Sequence, residues 1–495
     1  MSCYALGIDC GNTAIKAALF DASGHEIGAV ANNYPTHIPA PGYTEANLQQ
    51  CWQLCVDAIR RVIEKTGVKA AQIKAIGCSG HGNGLYLLDA AQQPLLAIKS
   101  LDNRAAAEVT RLQASSQFTD IDQRNRQGVW SSQTATLLHW LKQHQPERYQ
   151  QIGQVLFCKD YLNFCLTGEC STEWGDLTAS GLFDFERDCV SEQLLQGYGI
   201  ADIESKLPPV RNSSDIVGAI TDEVAAQTGL TSGTPVIAGL FDVVACAYGS
   251  DAASLGDVSI VAGTWSINQL VTDTLPPPEV FMTCKMGEQR YLAIESSTCS
   301  ASNLEWLVQR FFSDQTEQCR HNSGSIFDQF NQQLEQLDIE AGLPIFHPYL
   351  YGATNKQMAG ANLFGVAGWH EAKHIVYAFY EGVVFAHLEH IQRLRQCGYQ
   401  ISTVSMSGGA SRSDYWCQLF ADALDVQIMA SQCDEVGAKG AAMLALSRVL
   451  EPLAEVNELA SCDHGRQFSP QKQRHALLSQ RYQKYLAIRD CLAQL

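Results

Sequence analysis

Two acids, one lysine and two glycine-bearing turns carry the residue types that phosphate chemistry needs. In Asp9-Cys10-Gly11-Asn12-Thr13, followed by Lys16, an acid ends an apolar run and a glycine opens the next turn to close approach. Main-chain N–H groups exposed in such a turn form an anion-binding concavity, and Lys16 returns to the same end as a point charge. An ordinary Asn/Gly hairpin has the same composition. Gly239-Leu240-Phe241-Asp242 places a second acid after a buried apolar run, where either a general base or a helix N-cap would stand. Gly263-Thr264-Trp265-Ser266 and Ser407-Gly408-Gly409-Ala410 could each admit phosphate or nucleotide against the main chain, or serve only as tight turns. His370-Glu371-Ala372-Lys373-His374 matches the zinc-protease pattern on a probable helix. It lacks a well-placed third ligand, so zinc catalysis is not expected.

Positioning these groups falls to short strands and amphipathic helices. Strands are expected at Tyr4 to Ile8, Ile15 to Phe20 and Glu26 to Val30, joined by tight turns into an antiparallel meander. Trp52, Cys55, Val56, Ile59, Val62 and Ile63 recur at helical spacing, and Gly67 stands where a C-terminal cap belongs. An apolar strand, Ile73 to Cys78, runs into Ser79-Gly80-His81-Gly82-Asn83-Gly84. Strands at Pro235 to Ala238, Asp257 to Ala262 and Ser266 to Val271 surround the second acid and the Gly-Thr turn. This second strand–Gly-Thr–strand unit begins some 250 residues after the first, which suggests a duplicated architecture with two related domains facing one cleft. The boundary is placed at residues 245 to 256, giving domains 1–248 and 249–495, with the last helix returning to the first domain.

A chain of 495 residues exceeds what one core supports. The net charge of −18 argues against a nucleic-acid partner, so an anionic ligand must be held by metal, main-chain N–H groups and a few lysines. No apolar stretch reaches membrane-spanning length, and the N-terminus shows no signal-peptide pattern. A cytoplasmic protein with no membrane partner is therefore expected. The 18 cysteines, scattered without Cys-x-x-Cys pairs, read as reduced buried thiols; Cys51 and Cys55 share a helical face. The P-loop pattern and the protein-kinase motif set are both missing.

Taken together in their order and spacing, the four motifs resemble the FGGY carbohydrate kinases, a family of the actin/hexokinase/Hsp70 ATPase superfold. The resemblance runs from Leu6 to about Leu450 and includes Glu381-Gly382-Val383-Val384-Phe385-Ala386-His387. It implies an α/β fold of two actin-like, ribonuclease H-like domains and phosphoryl transfer from ATP, with Mg²⁺, to a small sugar. By the same resemblance Asp242 is the general base and Asp9 the acid that organises Mg²⁺, both acids adjoining the metal. Gly11, Asn12, Thr13, Lys16, Gly263, Thr264, Gly408, Gly409 and Ser413 fall on ATP-binding positions, with Ala301 and Glu305 near the nucleotide. His81, Gly82, Asn83, Asp102 and Asp242 fall on the sugar side, with Asn103 and Arg104 beside them, and Trp130 could stack on the sugar. Relatives often carry Gln at the position of His81 and a larger residue at Gly82, which bears on sugar identity, and on the adenine side they often carry glycine near Ser302-Asn303. The texture of Gly239–Val244, Gly263–Trp265 and Asn303–Trp306 is similar to the L-xylulose-phosphorylating branch, which implies the 5-hydroxyl as acceptor. D-xylulose, ribulose, 3-keto-L-gulonate and polyols are the alternatives. A homodimer is expected from the same resemblance, and the readings outside the kinases are a non-kinase ATPase of the superfold or a sugar sensor.

Overall fold

The computed structural model describes residues 3–321, 324–340, 342–352, 360–450 and 465–492. They form two compact units. The first comprises Met1–Ala253, Val271–Ala293 and Glu435–Asp463; the second comprises Ser254–Leu270, Ile294–Asp434 and His464–Leu495.

In the first unit, Tyr4–Cys10, Ala14–Asp21 and Glu26–Asn33 form the expected antiparallel meander. Ile73–Gly80 joins Tyr4–Cys10 in parallel. A parallel join requires a crossover, supplied by the helix Leu48–Thr66. Asn47 caps it by accepting the Gln50 N–H, and Gly67 ends it in the left-handed region at φ 67°. Its buried face, Leu48, Cys51, Cys55, Ala58, Ile59 and Val62, packs with Leu6, Ile8, Ile15, Ala17 and Leu19 into one core. Cys51 and Cys55 are buried free thiols, behaving as small apolar residues. Pro235–Ile237 and Leu240–Phe241 extend the sheet in parallel beyond Ile73–Gly80.

Side chains alternate across a strand, so Leu6 and Ile8 enter that core while Gly7 and Asp9 share the opposite face. The helix Val436–Val449 covers that face at main-chain distance. A Cβ on Gly7 would lie 2.0 Å from the Ala438 carbonyl oxygen, and one on Gly77 2.1 Å from that of Ala441. The helix Asp242–Gly249 meets the same helix through Gly249 and Gly440, where Cβ atoms would lie 2.0 Å from Val436 O and 2.1 Å from Ala245 O. Each glycine is required by the approach of a neighbouring backbone.

The second unit repeats the theme. Val258–Ala262 and Ser266–Thr272 pair antiparallel, and Thr403–Ser407 joins Val258–Ala262 in parallel. Gln427–Ala430 continues in parallel and Arg466–Phe468 closes antiparallel. The 25-residue helix Ala372–Gln396 is buried along most of its length. These units do not follow a single cut near residue 248. The helix Val436–Val449 belongs with the first, where it lies at main-chain distance from Gly7, Gly77 and Gly249. The last helix, Lys472–Leu492, belongs with the second, where Arg481 Nη2 donates to Glu381 at 2.7 Å. Among the described residues, no helix is long and apolar enough to cross a membrane.

Candidate active site

Strand register brings the two acids together. Asp9 sits opposite Ser79, which in turn pairs with Leu240, while Gly80 pairs with Phe241. Three parallel strands thus end side by side, with Asp9 on one and Asp242 just beyond another. The carboxyl ends of parallel strands are where open α/β sheets bind ligands. Asp242 is the first residue of its helix and Phe241 is the N-cap, without a side-chain capping bond. The acid is therefore not spent as an N-cap.

Asp9 and Asp242 are enclosed by protein yet keep some accessible surface. Burial pushes the Asp242 carboxyl up to about 7; the Asp9 charge adds to the rise, and His81 and the Val243 N–H oppose it. Burial likewise raises Asp9, against the pull of Lys16. The Asp9 carboxylate also faces the first turn of Val436–Val449, since a Cβ on Gly437 would lie 3.4 Å from its Oδ2. A helix amide end favours an anion there. Lys16 is half-exposed and paired with Glu435 at 2.7 Å. Although burial works against its charge, Glu435 and Asp9 hold its pKa above the ordinary value.

Two buried devices hold these loops. Lys99, fully buried, donates to the carbonyl of Asn12 at 2.7 Å, to those of Tyr34 and Pro35, and to Thr36 Oγ1. It ties down the Gly11–Thr13 turn, which Asn12 reinforces by bonding Ser100 at 2.9 Å. Within that turn the Gly11 N–H donates to Ala14 O at 2.9 Å, and Thr13 is exposed. Glu173 anchors the loop that bears Asp242: it accepts the N–H groups of Phe241 (3.2 Å), Gly175 (2.7 Å) and Asp176 (2.9 Å) and the Ser213 hydroxyl (3.1 Å). Gly239 turns this loop at φ 82°, where a Cβ would strike Cys78 O at 2.1 Å. Lys159 balances the buried charge, reaching Asp160 at 2.5 Å, Asp176 at 3.0 Å and Glu173 at 3.8 Å.

The sugar-side candidates divide. His81, Gly82 and Asn83 are buried on the loop leaving Ile73–Gly80. His81 Nε2 bonds Tyr86 Oη at 2.9 Å, and its charge reaches Asp242. Asn83 Oδ1 accepts the Thr134 N–H at 3.4 Å. Asp102 is turned inward instead. It accepts Arg104 Nε at 2.8 Å, the Arg104 N–H at 2.9 Å and the Thr44 N–H at 2.6 Å, and the Asp102 and Arg104 side chains are both fully buried. The guanidinium it holds stacks 4.1 Å over Tyr43. Trp130 is half-buried.

In the second unit, Gly263 and exposed Thr264 occupy the turn between Val258–Ala262 and Ser266–Thr272. Gly408, at φ 88°, lies against it; a Cβ there would come within 2.8 Å of Ala262 O. Gly409 is exposed beside them. Ser413 serves the next helix, accepting the Trp416 N–H at 3.1 Å while its hydroxyl donates to Asn331 at 2.8 Å. Ser302 bonds the Thr264 carbonyl at 3.0 Å, and Ala301 caps the helix that contains Glu305. His370 and His374 use Nδ1 to accept the N–H groups of Ala367 (2.8 Å) and Glu371 (2.7 Å). These imidazoles finish a helix start.

Sequence reasoning passed over Lys99, Glu173, Lys159 and Glu435. Lys99 reaches back 63 to 87 residues for its partners, and Glu435 meets Lys16 from the far end of the chain. Glu173 bonds mostly main-chain groups, and Lys159 is surrounded by acids that read as ordinary surface charge. Lys99 alone carries a local signal, a charge that ends the apolar run Leu95-Leu96-Ala97-Ile98.

The described residues offer no group of three or more His, Cys, Asp or Glu side chains able to hold a metal. Two neighbouring carboxylates, one raising the pKa of the other, still suit a hard cation that takes its remaining ligands from phosphate and water, as Mg²⁺ does.

Comparison with known proteins gives a consistent result. Residues 4–249 match the N-terminal domain, and residues 258–448 the C-terminal domain, of the FGGY family of carbohydrate kinases. The L-xylulose/3-keto-L-gulonate kinase of Escherichia coli is 35% identical, over 98% of this chain and 96% of that protein. A probable L-xylulose kinase of Haemophilus influenzae is 33% identical over 99% of both. Among solved structures, a xylulose kinase from Brucella ovis superposes with a TM-score of 0.85 at 26% identity, covering 99% of each chain.

Proposed function

We propose that this chain, which belongs to the FGGY family of carbohydrate kinases, phosphorylates the 5-hydroxyl of L-xylulose with Asp242 as the base. Its activity as an ATP-dependent sugar kinase follows from the family; the sugar and the residue roles are our reading. Full-length similarity to two L-xylulose kinases supports the sugar. The observation that carries the mechanism is an Asp242 carboxyl poised at about 7 where parallel strands end.

Phosphoryl transfer depends on positioning and charge more than on covalent chemistry. Asp242, ionised, accepts a hydrogen bond from the acceptor hydroxyl and takes its proton as the oxygen attacks the γ-phosphorus and the bond to the β-phosphate breaks. A carboxyl near 7 is a competent acceptor at neutral pH. His81, close by, offsets part of the negative charge. Main-chain N–H groups of Asn12 and Thr13 and the Lys16 ammonium contact the phosphates, while Gly11, whose own N–H closes the turn on Ala14 O, lets them approach the main chain. Gly263, Thr264, Gly408, Gly409 and the turn ending at Ser413 take the nucleotide side. Glu173 and Lys99 do not touch substrate; they fix the loops that do. Asp9 and Asp242 would hold Mg²⁺, which when bound with the nucleotide neutralises phosphate charge. His81, Gly82 and Asn83 line the sugar side, and Asp102 acts through Arg104 as a positioning residue.

A coupled ADP-release assay tests this reading with L-xylulose, D-xylulose, ribulose, 3-keto-L-gulonate and glycerol. L-xylulose should give the largest kcat/KM and a 5-phosphate product. Release that no sugar stimulates would overturn the reading. A second substrate, 3-keto-L-gulonate, is favoured by the name of the Escherichia coli relative and belongs in the first screen. The same reading places the enzyme in the cytoplasm as a homodimer, and sedimentation of the purified protein checks the dimer.

A further inference from the structure

Phe241 and Gly82 compete for one volume. A Cβ on Gly82 would lie 2.4 Å from Cε2 of the Phe241 ring, and 2.8 Å and 2.9 Å from two further ring carbons. Gly82 does not adopt a left-handed φ, so its backbone conformation does not demand glycine. The ring does. At the base of the side chain, a Cβ on Gly175 would lie 3.3 Å from the Phe241 Cβ, so two glycines on separate elements pack against this residue. Phe241 is 4% exposed, and its N–H is held by Glu173 at 3.2 Å. The backbone that carries the ring therefore cannot shift aside without breaking a buried hydrogen bond.

Both members adjoin the proposed chemistry. Phe241 immediately precedes Asp242 and pairs with Gly80, on the strand that leads into His81 and Gly82. Whichever of the two positions carries bulk sets the shape of the wall beside the acceptor. We infer that the Gly82–Phe241 pair is a specificity determinant of the sugar site, the phenyl ring filling from the Asp242 side a volume that the loop leaves empty. This rests on the sugar-kinase reading above. An aromatic wall is flat and stiff, so it discriminates by the shape of the ketose carbon chain and thereby among stereoisomers.

The test is a double-mutant cycle of Gly82→Met, Phe241→Ala and the pair together, read by Tm without ligands and by the ratio of kcat/KM for L-xylulose to that for D-xylulose. Gly82→Met alone should lower both Tm and kcat/KM, whereas Phe241→Ala should change the substrate ratio by about tenfold or more, the scale on which pocket shape discriminates. In the double variant the Tm loss caused by Gly82→Met should largely vanish. Phe241→Leu, which keeps more packing, replaces Phe241→Ala if that variant does not fold. The inference fails if Gly82→Met is as damaging in the Phe241→Ala background as in the wild type, or if the ratio does not respond to substitution of Phe241. Wild-type protein that shows no sugar-stimulated ADP release overturns the kinase reading instead, and the Tm cycle then still reports whether the volume is shared.

Discussion

The negative charge of Asp9 lies near enough to Asp242 to add to burial in raising the Asp242 carboxyl to about 7. The two residues are far apart in the chain and meet because Tyr4–Cys10 and Leu240–Phe241 both pair with Ile73–Gly80. A carboxyl so placed is partly protonated near neutrality and gives up its proton as the pH rises through that range.

Asp242→Asn should lower turnover by at least the ~10² to 10⁴ that general-base catalysis contributes, with little change in ATP affinity. ADP release at saturating sugar and a nucleotide titration separate the two effects. Near-normal turnover would remove Asp242 from its assigned role.

The same substitution should change how stability depends on pH in the ligand-free protein. The folded value, about 7, lies above the ordinary 3.8. Between those values the folded chain keeps a proton that the unfolded chain has released, so the Asp242 contribution falls as pH rises through this window and levels off above it. Asp242→Asn should match wild type near the low end of the window and be the more stable above its high end, with a ceiling of about 4 kcal/mol. Thermal unfolding across pH would show a gap that widens with pH; a constant gap would contradict it.

Glu173→Gln places an amide among three main-chain N–H donors. Leaving buried donors unpaired costs about 1–3 kcal/mol each, so Tm should fall. Because Phe241 loosens with Asp242 behind it, kcat should drop more than KM for ATP rises. A loss of Tm with unchanged kcat would mark Glu173 as purely structural.

Lys16→Met should raise KM for ATP about tenfold or more, the scale of a charge-assisted hydrogen bond, and leave KM for the sugar almost unmoved. An equal rise in both constants would argue against a phosphate contact.

Much of this was legible along the chain because the signals are local. The meander from Tyr4, the Gly67 cap and the strands around Gly263 stood where apolar alternation and turn residues put them. Asp9 and Asp242 could be paired only by resemblance, since no local pattern encodes a shared neighbour such as Ile73–Gly80. Asp102 looked like a sugar contact, but Arg104 two residues on claims its carboxylate, a local bond that residue types alone do not reveal. Glu173, Lys99 and Glu435 were passed over because each has a partner in distant chain, Phe241, Asn12 and Lys16 respectively. Gly7, Gly77 and Gly249 likewise read as plain small residues until the helix they admit is known.

Gly7→Ala should destabilise by about 1–3 kcal/mol or more, since the added Cβ meets a helix carbonyl oxygen at 2.0 Å and the alternative is to shift the whole helix. Urea unfolding measures this; a neutral result would mean that the helix packs elsewhere in solution.

That helix begins at Val436, so Tyr4–Cys10 and Ile73–Gly80 wait for a cover made far downstream of them. During synthesis the sheet of Tyr4–Cys10 and Ile73–Gly80 keeps one face uncovered until the Val436–Val449 segment follows it. A fragment ending at residue 249, although it contains both acids, should therefore expose its glycine-lined face and call on chaperones, whereas a chain that includes Val436–Val449 covers it.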